Sequence, residues 1–123
     1  MQTLTLIRGL PGSGKSSLAA SLAAVHLEAD MYFVDALGNY HYRGEEIAQA
    51  HQWCQQQTAA YLALGKDVVV ANTFVRQWEM APYRALAKQY GATLKIICCT
   101  ANYSNIHGVS LDTIEKMRQQ WEA

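Results

Sequence analysis

A glycine-rich segment near the start of the sequence has the residue types and spacing that bind phosphate groups. Residues 9–16 read Gly-Leu-Pro-Gly-Ser-Gly-Lys-Ser and match the pattern G-x-x-x-x-G-K-[ST]. Glycines let the backbone curl so that successive amide groups point at one anion. The lysine adds a mobile positive charge for phosphate oxygens, and the hydroxyl of the following serine suits Mg²⁺. The segment therefore predicts a site for ATP with Mg²⁺.

The predicted nucleotide contacts form one contiguous run that includes the serine after the pattern. They are Gly9, Leu10, Pro11, Gly12, Ser13, Gly14, Lys15, Ser16 and Ser17. An apolar, β-branched run precedes them, and a run of helix formers follows. This context supports the interpretation, because the N-terminus of a helix attracts anions. The alternative is a flexible glycine turn without a ligand.

Polar residues also end two further predicted strands. Asp30 follows the second strand, where its carboxylate can take a proton from an acceptor hydroxyl or hold water on the metal. Asn72 and Thr73 end the third strand, at the position of the usual Walker B acid. Mg²⁺ is therefore expected to depend on Ser16 and Asp30. A helix-capping or surface aspartate is the plain alternative for Asp30.

Three arginines are candidates for offsetting charge in a transition state or for binding an acceptor phosphate. Arg76 stands just beyond the third strand and is the preferred one. Arg43 and Arg84 are weaker candidates, because an exposed arginine is usually only solvated. The predicted catalytic set is therefore Lys15, Asp30 and Arg76.

Histidines and aromatic rings leave open alternatives. His51 lies on a predicted helix stripe, either as a hydrogen-bonded core residue or near an acceptor. His107 precedes the last helix, where it either closes over ATP or has no role. Residues 40–42 read Tyr-His-Tyr beside Arg43 and either hold a nucleobase or form a packed loop.

The remaining pattern alternates short apolar runs with helical periodicity. Strands are predicted at Thr3–Arg8, Val25–Ala29, Asp67–Ala71 and Thr93–Cys99, and helices at Ser17–Ala24, Gly44–Leu64, Gln77–Tyr90 and after Ser110. This order indicates an α/β fold: a three-layer sandwich around a parallel sheet of about four strands. Its site is expected at the carboxyl ends of the strands.

Several residues are expected to be buried in this fold. They are the second-helix stripe Ile47, His51, Cys54, Thr58 and Tyr61, the last-helix face Leu111, Ile114, Met117 and Trp121, the tryptophans Trp53 and Trp78, and the thiols of Cys98 and Cys99.

Bulk composition limits the classes of function. The 123 residues predict one domain over residues 1–123, and the formal net charge is zero. A net charge of zero argues against a protein that coats long nucleic acids by electrostatic attraction alone, although it allows binding to one strand end. The chain starts without the features of a signal peptide, and no apolar run approaches about 20 residues. A cytoplasmic protein without a membrane segment is expected.

Five segments together resemble a known family. They are GLPGSGKS, EADMYF around Asp30, IAQAHQWC, NTFVRQWEMAPY and NIHGVS, and they cover nearly the whole chain in order. They resemble short P-loop ATP-binding proteins of the AAA-family type, which are related to polynucleotide 5′-hydroxyl kinases. The resemblance implies a P-loop NTPase fold and transfer of the ATP γ-phosphoryl group to a hydroxyl. It also implies that Asp30 is the general base.

The sequence departs from the kinase pattern at three places. Phe33 stands where the pattern has an arginine, Asn72 stands where it has an aspartate, and residues 99–105 lack the lid arginine. The expected function is therefore a kinase whose acceptor is either a nucleic acid 5′-hydroxyl or a small hydroxylated metabolite. The alternative is an ATP-binding switch or partner module without an acceptor. The oligomeric state is not predicted.

Overall fold

The protein contains a parallel sheet between layers of helices. The computed structural model describes residues 2–100 and 110–123. Within them the strands are β1 (Thr3–Arg8), β2 (Val25–Leu27), β3 (Val68–Ala71) and β4 (Thr93–Cys98), in the order β2-β3-β1-β4. All neighbouring pairs are parallel. The predicted α/β class and four-stranded parallel sheet are therefore confirmed.

The helices follow the strands in the predicted alternation. They are α1 (Lys15–Ser21), α2 (Ile47–Ala63), α3 (Ala81–Tyr90) and α4 (Leu111–Gln120). Short 3₁₀ segments occupy Ala29–Phe33, Gly44–Glu46 and Gln77–Met80. The first turns that the sequence assigned to the second and third helices are thus 3₁₀ turns, and the phosphate-loop helix begins two residues earlier than predicted.

The two faces of the sheet bury alternate residues of the same strands. Strand side chains alternate between faces, so β3 sends Val68 and Val70 to one side and Val69 to the other. The first face packs on α2 and α3, and the second packs on Ala19 of α1. This arrangement is the three-layer sandwich expected from the sequence.

The buried face of α2 is rotated from the predicted stripe. Its buried residues are Ala50, Cys54, Thr58 and Leu62, spaced by four. Ile47 is 42% exposed, so its predicted burial was wrong. The hydroxyl of Thr58 donates to the carbonyl of Cys54 at 2.8 Å, which satisfies this buried polar group.

Three other burial predictions were also wrong. Trp78 is 70% exposed because it lies in a short 3₁₀ turn rather than on a helix face. Leu111 is 82% exposed in the first turn of α4. Cys98 is exposed because β4 is an edge strand with only one strand neighbour in the described sheet.

Across residues 2–100 and 110–123, each helix is too short or too polar to cross a bilayer.

Candidate nucleotide-binding site

The glycine-rich loop between β1 and α1 has the curled backbone that its sequence predicts. Gly12 and Gly14 adopt left-handed φ values of 82° and 90°, which other residues rarely reach. The amide of Ser13 donates to the carbonyl of Leu10 at 3.1 Å and closes the turn. The loop then enters α1 directly at Lys15.

Gly9 sits where the loop packs tightly against the end of β4. A Cβ atom on Gly9 would lie 2.4 Å from Ser13 Oγ and 2.8 Å from the carbonyl oxygen of Cys99. The amide of Gly9 donates to the carbonyl of Thr73 at 3.2 Å. Ser13 Oγ is buried and lacks a hydrogen-bond partner among the described residues. The first glycine therefore serves close packing of the loop.

The loop presents donors and a positive charge to the space above it. Among the described residues, nothing accepts a hydrogen bond from the amides of Lys15 and Ser16, the first two of α1. The ammonium of Lys15 folds back onto the carbonyl of Leu10 at 3.1 Å. Burial lowers the pKa of Lys15, although the nearby charges of Glu28, Cys99 and Asp30 oppose this shift. A phosphate at this point would supply both sets of groups with an acceptor.

A cavity of about 510 Å³ joins this loop to residues from distant parts of the chain. Pro11, Lys15 and Ser16 line what we call the loop part. Phe33, Tyr40, Tyr42 and His51 line what we call the ring part. Ser17 is exposed and does not line the cavity.

Asp30 is brought into the same cavity by the 3₁₀ turn that follows β2. Its Oδ1 lies 3.4 Å from the hydroxyl oxygen of Tyr40, a long hydrogen bond. The sequence prediction that Asp30 and the phosphate loop share one rim of the sheet is therefore met in the described structure.

Glu28 is a second carboxylate in the cavity, and the sequence reasoning missed it. Its Oε2 lies 2.6 Å from His26 Nε2. Among the nearby groups that raise the pKa of Lys15, Glu28 has the largest effect. The available signal was its position at the carboxyl end of β2, two residues before Asp30.

Asn72 has a structural role at the position that lacks the Walker B acid. Its Oδ1 accepts a hydrogen bond from the amide of Ala29 at 3.0 Å. This bond ties the end of β3 to the turn that carries Asp30. Asn72 and Thr73 both line the cavity, as their strand-end position predicts.

The structure does not bring the three candidate arginines to the cavity. Arg76 Nη1 pairs with Glu122 at 3.4 Å, Arg84 donates to Gln77, and Arg43 pairs with Glu46. The chain after β3 turns away through Phe74, which has a left-handed φ of 45°. None of the three arginines lines the cavity. His107 lies outside the described residues.

His51 lines the cavity and is half-buried, and its imidazole has no hydrogen-bond partner among residues 2–100 and 110–123. The prediction of a hydrogen-bonded core histidine is therefore not met within that part of the chain. Its placement matches the other alternative, a position where an acceptor would bind.

The described donors suit a hard cation only together with a phosphate ligand. Within the described residues there is no cluster of three or more histidine, cysteine or carboxylate groups. The hydroxyl of Ser16 and the carboxylates of Glu28 and Asp30 line the cavity. Mg²⁺ commonly binds through one or two such groups, waters and substrate phosphates, so these residues fit it.

A glycine loop between the central strand β1 and helix α1, in a sheet ordered β2-β3-β1-β4, defines a P-loop kinase-like fold. A family model described as an AAA domain, AAA_33, matches residues 4–107. The chain therefore belongs to the AAA_33 family.

Similar proteins support this family and fold. Human NEDD4-binding protein 2 is 33% identical over 134 residues, which cover 97% of this chain but 8% of that protein. The Pnkp1/Rnl/Hen1 RNA repair complex contains a chain that superposes with a TM-score of 0.72, at 16% identity, over 97% of this chain and 43% of that one. The Mycobacterium tuberculosis APS kinase CysC superposes with a TM-score of 0.62, at 18% identity, over 96% and 93%.

Proposed function

We propose that this protein transfers the γ-phosphoryl group of ATP, bound with Mg²⁺, to a hydroxyl acceptor. One observation carries the proposal: a single cavity contains the phosphate loop, the carboxylate of Asp30 and further space lined by the ring part. A site that only binds a nucleotide would need neither a carboxylate such as Asp30 nor the additional space lined by the ring part. The kinases among the fold neighbours also support this class of reaction.

Each side chain has a distinct part in this reaction. Lys15 and the first amides of α1 would hold the β- and γ-phosphates, and Ser16 with Glu28 or Asp30 would hold Mg²⁺ or its waters. Mg²⁺ supplies charge that neutralises the phosphate oxygens. Asp30 takes the proton of the acceptor hydroxyl. The acceptor oxygen bonds to the γ-phosphorus while the bond between that phosphorus and the oxygen bridging to the β-phosphate breaks. ADP and a phosphate ester are the products.

The alternative is an ATP-binding switch or partner module without an acceptor. Two observations favour it: Asn72 replaces the strand-end acid, and no arginine lines the cavity among the described residues. Arginine commonly stabilises the charge of phosphoryl transfer. The chain spans 8% of NEDD4-binding protein 2, so any activity of that whole protein is a separate matter.

A labelling experiment tests the proposal against this alternative. The protein is incubated with γ-labelled ATP and Mg²⁺, with panels of 5′-hydroxyl oligonucleotides, nucleosides and sugars. We expect label in an acceptor, and Asp30→Asn should lower its rate roughly 10²- to 10⁴-fold, as for loss of a general base. The dissociation constant of ATP measured without Mg²⁺ should change less than about threefold, because Asp30 would act on the metal and on the acceptor proton and not on the nucleotide itself.

Asp112→Asn is the matched control, since Asp112 is exposed on α4 and does not line the cavity. It should transfer label like the parent. Label that appears only in free phosphate supports the switch and contradicts the proposal. Full transfer by Asp30→Asn removes Asp30 from the role of base.

A further inference from the structure

The ring part of the cavity belongs to a hairpin that its own hydrogen bonds hold in place. Val34 and Tyr40 form an antiparallel bridge. The carboxylate of Asp35 accepts from the amides of Leu37 and Asn39, both at 2.9 Å, and so caps the turn between them. These contacts connect both arms of the aromatic hairpin, residues 33–42, to its turn.

Two half-exposed tyrosines form a stacked wall on the hairpin. Tyr40 and Tyr42 are 53% and 56% exposed, with ring centroids 6.5 Å apart and planes inclined by 20°. The buried ring of Phe33 meets them edge-on at 6.2 and 5.3 Å and fixes their positions. All three rings line the cavity, and the hydroxyl of Tyr40 reaches Asp30. A flat ring bound beside the proposed base would find aromatic faces to stack on.

The surroundings of this wall offer no free lysine or arginine among the described residues. Lys15 is the one lysine or arginine that lines the described cavity, and it belongs to the loop part. Arg43 is occupied by Glu46, by the carbonyl of His41 and by the face of Phe33. The sequence of residues 101–109 contains neither lysine nor arginine.

The residue that packs beneath this wall also carries no charge. Phe33 stands there, and its ring is 3% exposed beneath the two tyrosines. On this half-exposed wall a phosphate or carboxylate of the acceptor would find no lysine or arginine to pair with among the described residues. The ring part therefore selects against anionic acceptors as well as for a flat ring.

We infer that the acceptor is a neutral alcohol of the nucleoside class. Its ring stacks on Tyr40 and Tyr42, its hydroxyl faces Asp30, and it carries no phosphate or carboxylate. This inference rests on the proposed function and narrows its substrate. The phosphates of a nucleic acid strand would gain no partner in the ring part, so a strand end should be no better an acceptor than a free nucleoside.

Equilibrium binding tests the inference independently of transfer. The protein is saturated with Mg²⁺ and a non-hydrolysable ATP analogue, and adenosine, cytidine, ribose, gluconate and adenosine 3′-monophosphate are titrated by calorimetry. Adenosine and cytidine should bind at least tenfold more tightly than ribose and gluconate, and the 3′-phosphate should give no gain. Ribose binding equal to adenosine, a tenfold gain from the 3′-phosphate, or undetectable nucleoside binding overturns the inference.

Ring variants then locate the binding. Tyr40→Ala and Tyr42→Ala should each weaken adenosine binding about 5- to 150-fold, the range for loss of one stacking ring. Tyr42→Phe keeps the ring and should bind like the parent. Leu37→Ala is the matched control, because Leu37 is 87% exposed at the tip of the same hairpin and does not line the cavity. Unchanged adenosine binding in both alanine variants, with parental thermal unfolding, overturns the inference.

The two proposals fail in distinguishable ways. Transfer of label to ring-free polyols, without transfer to nucleosides, overturns this inference and leaves the proposed function standing. Nucleoside binding that depends on Tyr42, without label in any acceptor, supports the ring subsite and contradicts the proposed transfer.

Discussion

The loop part of the cavity presents mainly backbone groups, whereas the ring part presents side chains. The loop part uses backbone amides and one lysine from a contiguous segment, and Ser13 within it is 4% exposed. The ring part uses side chains from a hairpin and from α2, and its tyrosines are more than half exposed. The contrast indicates that binding of a triphosphate would depend on one contiguous segment of the chain. The proposed choice of acceptor, in contrast, would depend on which side chains the fold brings together.

The two parts should also differ in whether they affect the stability of the fold or only the binding of an acceptor. The loop part is packed against β3 and β4 through Gly9. The rings of Tyr40 and Tyr42 project from a hairpin whose turn is capped by its own aspartate. Changes in the loop part should therefore damage folding and ATP binding together, whereas changes in the ring part should alter acceptor binding alone.

The largest effect is expected from Gly9→Ala. The added Cβ would overlap Ser13 Oγ and approach the Cys99 carbonyl at 2.8 Å, so the loop must shift. Overpacking of this kind typically costs about 1–3 kcal/mol. We expect loss of detectable ATP binding by calorimetry and a lower unfolding temperature.

Gly44→Ala is the control for this change, because the nearest atom to its added Cβ is Tyr42 Oη at 3.5 Å, an ordinary contact. If Gly9→Ala bound ATP as tightly as the parent, nucleotide binding would not depend on the close packing at Gly9.

Lys15→Met should lower ATP affinity roughly 10- to 150-fold, because a hydrogen bond to a charged group contributes about 1.5–3 kcal/mol. The ligand-free variant should nevertheless unfold at a higher temperature, because burial lowers the pKa of Lys15 and thus penalises its charged form. Lys66→Met, at an exposed site outside the cavity, is the control. ATP binding as tight as the parent's would contradict the assignment of the loop part.

The same shift gives a dependence on pH. Since burial holds the folded pKa of Lys15 below its ordinary value of 10.5, the unfolded chain binds this proton more tightly. The contribution of Lys15 to stability therefore rises as the pH climbs from the folded pKa towards 10.5. ATP affinity should fall over this range as Lys15 loses its charge. Titrations across alkaline pH, compared with Lys15→Met, measure both trends, and a flat affinity profile would count against them.

An intermediate effect is expected from Asn72→Ala. It removes the bond at 3.0 Å that positions the turn carrying Asp30, so phosphoryl transfer should fall about 10- to 100-fold. ATP affinity should change less than about threefold, which single-turnover kinetics and calorimetry together can separate. Gln56→Ala, exposed on α2, is the control. Equal losses in binding and transfer would show that Asn72 acts on the loop part instead.

The smallest effect is expected from Arg76→Ala. The sequence hypothesis made Arg76 catalytic, whereas its guanidinium pairs with Glu122 outside the cavity. Transfer rates should therefore stay within about threefold of the parent, since partly exposed ion pairs contribute little. A drop of a hundredfold or more would restore the catalytic role and require the segment after β3 to move.

The success of the sequence analysis follows the same division between the two parts. The phosphate loop was predictable because its chemistry depends on contiguous residues whose glycines demand special backbone conformations. The alternation of strands and helices was predictable because strand and helix periodicities differ. Asp30 was placed correctly because parallel strands end at one rim of the sheet.

The errors arise where distant residues decide the outcome. The stripe predicted for α2 was right at Cys54 and Thr58 and wrong at Ile47, and it missed the buried Ala50 and Leu62. Arg76 was the preferred arginine because it stands just beyond β3, but Phe74 turns the chain and Glu122 pairs with the guanidinium outside the cavity, so its catalytic role stays a prediction. The stack of Tyr40 on Tyr42 depends on Phe33 beneath it, and sequence spacing alone left that arrangement open.

A crystal structure with Mg²⁺ and a non-hydrolysable ATP analogue tests the central claim most directly. We expect Lys15 to leave the Leu10 carbonyl, the β- and γ-phosphates to lie on the first amides of α1, and the terminal phosphate to face Asp30. A triphosphate bound elsewhere, with Lys15 still on Leu10, would contradict the account.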